Sequence, residues 1–155
     1  MNDESDAVLM AWSQFLGTHA RVLRAMEASL RAADLPSMGW YDVLLELDRV
    51  GGRRRVGELA DALVIEPYNM TRLLDRLETA GLLSREKAPN DRRGAVAVLT
   101  EEGRALRRRM WPHYRRAIRE IFGASLAERD ARSLARILKG IDACLDAGSP
   151  QSSKP

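Results

Sequence analysis

Tyr68, Asn69, Arg72 and Arg76 fall within one short stretch of the chain. Met70, Leu73, Leu74 and Leu77 interleave with them at the i, i+3, i+4, i+7 spacing of a helix with one apolar face. Burial of that face leaves the four residues, with Thr71, near the opposite side. These residue types bond nucleic acid: arginine to guanine or phosphate, asparagine to adenine, tyrosine to phosphate or a thymine methyl. Residues at the start of such a helix reach bases first, which ranks Tyr68, Asn69 and Arg72 ahead of Arg76. Arg92 and Arg93 lie further on, in the turn-rich stretch 88–94. A guanidinium at a loop tip suits the narrow, negative minor groove beside a major-groove site. Asp91 would be repelled by phosphate there; paired with an arginine it would instead brace the loop.

The surrounding pattern supplies elements to hold these groups. Val56, Leu59, Ala60 and Leu63 predict a brief amphipathic helix, followed by a turn and by Pro67 at a first helical position, where proline's missing N–H costs nothing. Gly81 is a left-handed stop for the helix that Pro67 begins. Beyond it, 82–86 and 95–99 read as two strands of a β-hairpin with a basic tip. Short helix, turn, longer helix and hairpin make a winged helix-turn-helix.

Longer helices flank this unit. Val8, Trp12, Phe15, Leu16, His19, Val22, Leu23, Met26 and Leu30 share helical period, and that helix ends before Pro36. Ser37 is placed to cap a second helix with Tyr41, Leu44, Leu45 and Leu47 inward, stopped by Gly51 and Gly52; the stretch 53–56 is short, basic and able to be extended. Thr100, with Glu101 and Glu102, opens a helix running to about Phe122 with a kink expected at Pro112. Ser125 and Glu128 read as a capping box ahead of a last helix carrying Leu134, Ile137, Leu138, Ile141 and Leu145. The expected fold class is thus mainly α with a small hairpin wing. Its organisation is a dimerisation helix over 1–36, a DNA-binding lobe over 37–100, dimerisation helices over 101–147 and a disordered tail over 148–155. The terminal helices carry more apolar face than so small a lobe can cover, which calls for a second copy.

Charge is distributed to match. Residues 1–52 carry four arginines against eight acids, whereas 53–119 carry sixteen basic residues against nine acids. The basic middle is where a polyanion would engage. The arginines at 104, 107, 108, 109, 115, 116 and 119 cover too many helix faces for one contact stripe, so some should face solvent or pair with acids of the first helices. One cysteine, Cys144, excludes an internal disulfide framework, and one Cys with two distant His gives no zinc spacing. No cofactor or metal is expected. No apolar run approaches membrane-spanning length and the start is acidic and polar, so the expected address is the cytoplasm.

The runs Val56-Gly-Glu-Leu-Ala-Asp-Ala-Leu63, Thr71-Arg-Leu-Leu-Asp-Arg-Leu-Glu78, Gly81-Leu-Leu83, Asp91-Arg-Arg93 and Leu99-Thr-Glu-Glu-Gly103, with Pro67, resemble the MarR family of bacterial transcription regulators. The resemblance implies a homodimer held by its terminal helices and acting on double-stranded DNA, in most cases as a repressor. It implies Arg92 as the minor-groove residue and Asp91 with Arg93 as the brace of the wing. Glu66 departs from the pattern, standing where the family usually has a serine or threonine cap. Small aromatic or phenolic effectors are common in the family; the candidate pocket residues are Trp12, Phe15, His19, Trp40, Tyr41 and Trp111, with His113 beside them. Aromatics at helical spacing more often fill cores. Cys144 is expected to be a small buried thiol and not a sensor. No phosphate-binding glycine loop or nucleophile–base pair points to an enzyme. The competing reading is a helical protein–protein interaction module of winged-helix origin that no longer reads DNA.

Overall fold

The computed structural model describes residues 3–89 and 94–148. Asp91, Arg92 and Arg93, and the tail from 149 onward, lie outside the described residues. In chain order the elements are α1 (Asp3–Ala32), α2 (Met38–Arg49), β1 (Arg53–Arg55), α3 (Val56–Leu63), α4 (Pro67–Thr79), β2 (Leu83–Lys87), β3 (Ala95–Leu99), α5 (Glu101–Ala117) and α6 (Glu128–Gly148). Gly148, expected to begin the tail, is instead the last residue of α6.

The hairpin is the core of a three-stranded antiparallel sheet in the order β1-β3-β2. β1 was legible as a short basic stretch able to be extended, though three successive arginines show no alternation. It is a strand because its backbone pairs with β3, Arg53 opposite Val98 and Arg55 opposite Val96. β2 pairs along the other edge of β3, Leu83 opposite Leu99 and Lys87 opposite Ala95, one residue later than the sequence pattern suggested.

Leu44, Leu47, Leu59, Met70, Leu74, Leu77, Leu83 and Ala97 are fully or almost fully buried, forming one core beneath α2, α3, α4 and the sheet. Leu30 brings the end of α1 into contact with it, and Leu106 and Met110 bring α5. Two positions here require glycine, one for its backbone conformation and one for a close approach. Gly81 sits at φ +73 after α4, and Gly103 packs so closely that a Cβ would overlap the Leu82 carbonyl oxygen. Thr100 caps α5, accepting from the Gly103 N–H at 3.1 Å while its hydroxyl donates to the Gly81 carbonyl at 2.8 Å. The α4–β2 turn and the start of α5 are thereby tied together.

Two expected caps are replaced. Ser37 makes no side-chain cap bond, and the Met38 N–H donates instead to Glu27 of α1 at 2.9 Å. A carboxylate from the passing helix satisfies that N-terminus better than a hydroxyl. Ser125 lies ahead of the start of α6 at Glu128, and the Ala127 carbonyl accepts the first helical bond, so the expected capping-box register is not formed. Pro112 is carried within α5, and the departure from α geometry comes later, as a π-helical turn at Ile118–Phe122.

Candidate nucleic-acid interface

α3 and α4 are joined by a turn whose geometry is set by one left-handed residue. Val64 has φ +52, while the Val64 N–H donates to the Asp61 carbonyl at 3.2 Å and the Ile65 N–H to Ala60 at 3.0 Å. A β-branched side chain is strained there, by about 1–2 kcal/mol relative to glycine. Pro67 occupies the start of α4, and Glu66 at the cap position makes no side-chain cap bond. The first amides of α4 that lack an intrahelical partner are therefore open to an anion.

Burial of Met70, Leu74 and Leu77 turns Tyr68, Asn69, Thr71, Arg72 and Arg76 outward, and all five are exposed. The Arg72 guanidinium lies 5.6 Å from the centre of the Tyr68 ring, so a cation and an aromatic face are presented together. The Thr71 hydroxyl is turned back onto the Pro67 carbonyl at 3.0 Å. Among the described residues neither Arg72 nor Arg76 has a salt-bridge partner.

Much of the remaining positive charge in this region is internally matched. Arg53 bridges to Glu86 at 2.6 Å across the sheet, and this hydrogen bond holds Glu86 below the usual carboxylate range. Arg54 pairs with Glu46. Arg104 and Arg107 both pair with Asp48 of α2, the latter at 2.8 Å, as expected for part of the arginine-rich stretch. Arg85 contacts Asp75 and Glu78 of α4, both at 2.6 Å. Sequence reasoning missed this last cluster, since the two acids and the arginine lie on different elements. The i, i+3 spacing of Asp75 and Glu78 was the available signal. The net effect is that unmatched cationic groups of α4 are concentrated on its outward face.

The aromatic candidates for a pocket are separated within the protomer. Phe15 and His19 stack with centroids 6.0 Å apart, and Trp12 lies 6.3 Å from Phe15 along exposed α1. Phe15 and His19 line an apolar groove of about 430 Å³ with Val22, Phe122, Leu134 and Leu138. Trp40 lies in a different hollow, beside Arg76 and Thr79. Tyr41 is a core residue, 1% exposed, stacked on Trp111 at 6.4 Å and tilted against Tyr114 at 4.4 Å. His113 Nε2 is within 3.1 Å of the Ser29 carbonyl and so belongs to the α1–α5 contact. Cys144, expected to be buried, is exposed in the protomer because the face of α6 beside it is uncovered.

A polar cluster lies where α1, α2 and α5 meet. Burial, and then the neighbouring Glu27 charge, push Asp42 up to about 6. Burial, and then Asp42, push Tyr114 up to about 12. Among the described residues no three or more His, Cys, Asp or Glu are grouped so as to hold a metal, and no helix is long and apolar enough to cross a membrane.

Residues 33–94 match the model of the MarR family. Over 95% of its own length and 97% of the other chain, this chain aligns with AbsC, a MarR family transcriptional regulator from Streptomyces coelicolor, at 31% identity and a TM-score of 0.79. The chain belongs to the MarR family. Another S. coelicolor regulator of the family, Sco3205, solved in complex with DNA, is 26% identical, with all of this chain and 97% of that one covered and a TM-score of 0.81. The HTH-type transcriptional regulator YkoM of Bacillus subtilis is 33% identical over 88 residues, which span 56% of this chain and 57% of YkoM. This MarR-family chain thus has the mostly helical winged fold of its relatives, and its relatives are transcription regulators.

Proposed function

We propose that this MarR-family chain is a transcriptional repressor that binds a near-palindromic duplex as a homodimer. The observation that carries the reading is α4, whose exposed Tyr68, Asn69, Arg72 and Arg76 lie beside a three-stranded wing, with the two arginines unpaired among the described residues. In this reading α4 enters the major groove, Asn69 and Arg72 read base edges, and Thr71 and Arg76 support phosphate contact. Arg92 enters the adjoining minor groove, Arg93 and Asp91 bracing the loop. The DNA complex of the 26%-identical Sco3205 supports it.

The second copy is argued from uncovered apolar surface. α6 buries none of its residues, and Ile137, Ile141 and Leu145 are all more than half exposed, as are Val8 and Trp12 on α1. Faces of this kind on two long helices need a partner surface. We assign 1–36 and 101–147 to dimerisation and 37–100 to the DNA-binding lobe. Two-fold symmetry then sets the two α4 helices roughly 34 Å apart, one helical turn of DNA. Repression follows by occlusion of the promoter. A small aromatic effector is assigned to the dimer, where the exposed α1 aromatics Trp12 and Phe15 gain a second wall from the partner copy.

Selection of binding sites from a random duplex library tests this. Enrichment of a two-fold near-palindrome supports it. No enriched motif, with affinity indifferent to salt, would instead favour the interaction-module reading.

A further inference from the structure

We propose that Arg85 is a positioning residue: by gripping Asp75 and Glu78 it fixes the angle between α4 and the β2–β3 wing, and so decides which bases the helix and the wing reach together. The inference rests on the DNA-reading assignment above and concerns how that reading is aimed.

Arg85 lies mid-strand in β2, opposite Ala97 of β3. Alternation along the strand puts it on the same face as buried Leu83, the face that packs toward α4. Its backbone N–H donates to Glu78 Oε1 at 2.9 Å, and its Nε to Glu78 Oε2 at 2.9 Å. Nη2 is 2.6 Å from both Glu78 Oε2 and Asp75 Oδ1. One side chain and its own amide thus hold two points on α4, separated by three residues. Two points fix a direction where one would leave a pivot. A planar guanidinium holds that geometry, whereas a lysine ammonium cannot reproduce its fork. At the start of α4, by contrast, Glu66 makes no side-chain cap bond.

The position of Asp75 sharpens the argument. It is three residues from Arg72 and adjacent to Arg76, at the margin of the outward face. Released from Arg85, its carboxylate would repel phosphate and compete for Arg72. Removing Arg85 therefore does two things, exposing acid and freeing an angle, and the test has to separate them.

The test compares wild type, Arg85→Met and the triple variant Asp75→Asn/Glu78→Gln/Arg85→Met, each put through duplex selection and salt titration. Arg85→Met is expected to lose about tenfold or more on the wild-type duplex, the scale of one charge-assisted bond lost. The triple variant has no acid left uncovered, so its affinity for random duplex returns. Its preferences at the bases flanking the α4 site stay lost, and those beneath α4 persist. Recovery of the flanking preferences by the triple variant would reduce Arg85 to a charge mask and overturn the proposal. So would an Arg85→Met protein that selects the wild-type site. Arg85→Lys, which keeps the charge but not the fork, replaces Arg85→Met if that variant fails to fold, with the same flanking loss expected. If wild type selects no DNA, the DNA-reading assignment fails separately. The angle is then read from spin labels on cysteines at Asn69 and Lys87 in a Cys144→Ser background diluted with unlabelled protein. A broader distance distribution without Arg85 sustains the positioning role, and an unchanged one refutes it.

Discussion

Replacing Asp42 by asparagine should make the protein more stable at neutral pH. The carboxyl group is partly buried between α1 and α2, close to Glu27, and titrates at about 6 in place of 3.8. Between those two values the folded state holds a proton that the unfolded chain has released. Stability therefore falls as pH rises through this window, and the penalty is complete above about pH 6. A displacement of roughly 2 units at about 1.36 kcal/mol each sets a ceiling near 3 kcal/mol. Partial solvent access and relaxation reduce the expected gain to about 1–2 kcal/mol. Glu78 and Glu86 are shifted the opposite way, held low by Arg85 and Arg53. Urea unfolding of wild type and Asp42→Asn at fixed protein concentration, from about pH 5 to about pH 8, reads the difference. The variant's advantage should be largest near pH 8 and shrink toward pH 5. Parallel curves, with a constant gap or none, would refute the reasoning that Asp42 is ionised at a cost in the fold.

Four further outcomes follow from the same packing. Val64→Gly relieves a left-handed β-branched residue that is 92% exposed, and thermal melts should show a gain of about 1 kcal/mol. Gly103→Ala forces a methyl onto the Leu82 carbonyl and the Leu99 side chain, and should cost about 2 kcal/mol or more in the same assay. Ile141→Glu places a charge on the uncovered face of α6, and sedimentation should show the proposed dimer giving way to monomer or to mixed assemblies. Glu27→Ala removes the acceptor for the Met38 N–H and should lower stability by about 1 kcal/mol, whereas Ser37→Ala, which loses no cap bond, should be near neutral.

The parts of the fold legible in sequence are those governed by local period. Met70, Leu74 and Leu77 set the face of α4, and Thr100 and Gly81 set the ends of neighbouring elements, because spacing and backbone preference act within a few residues. What escaped the sequence depends on residues that meet only after folding. Arg53–Arg55, readable as extended, finds its partner strand only in β3, Glu27 displaces Ser37 as a cap because α1 passes the start of α2, and Arg85 finds two acids on another element. Helix period turned Tyr41 inward and it is core, whereas the hollow that its neighbour Trp40 lines beside Arg76 and Thr79 forms only when α2 meets α4. Cys144 was expected to be buried on the reasoning that an apolar helix face is covered, and in one protomer that face is not.

The central claim, that the outward face of α4 reads base sequence, is tested most directly by one comparison. The affinity of wild type and Asn69→Ala is measured on the selected duplex and on copies of it changed one base pair at a time. The account predicts that Asn69→Ala flattens discrimination at one position in each half-site, a loss of about 1–3 kcal/mol there, and leaves the salt dependence as it was. Identical discrimination profiles for the two proteins would contradict it, because the face assigned to sequence reading would then contribute none.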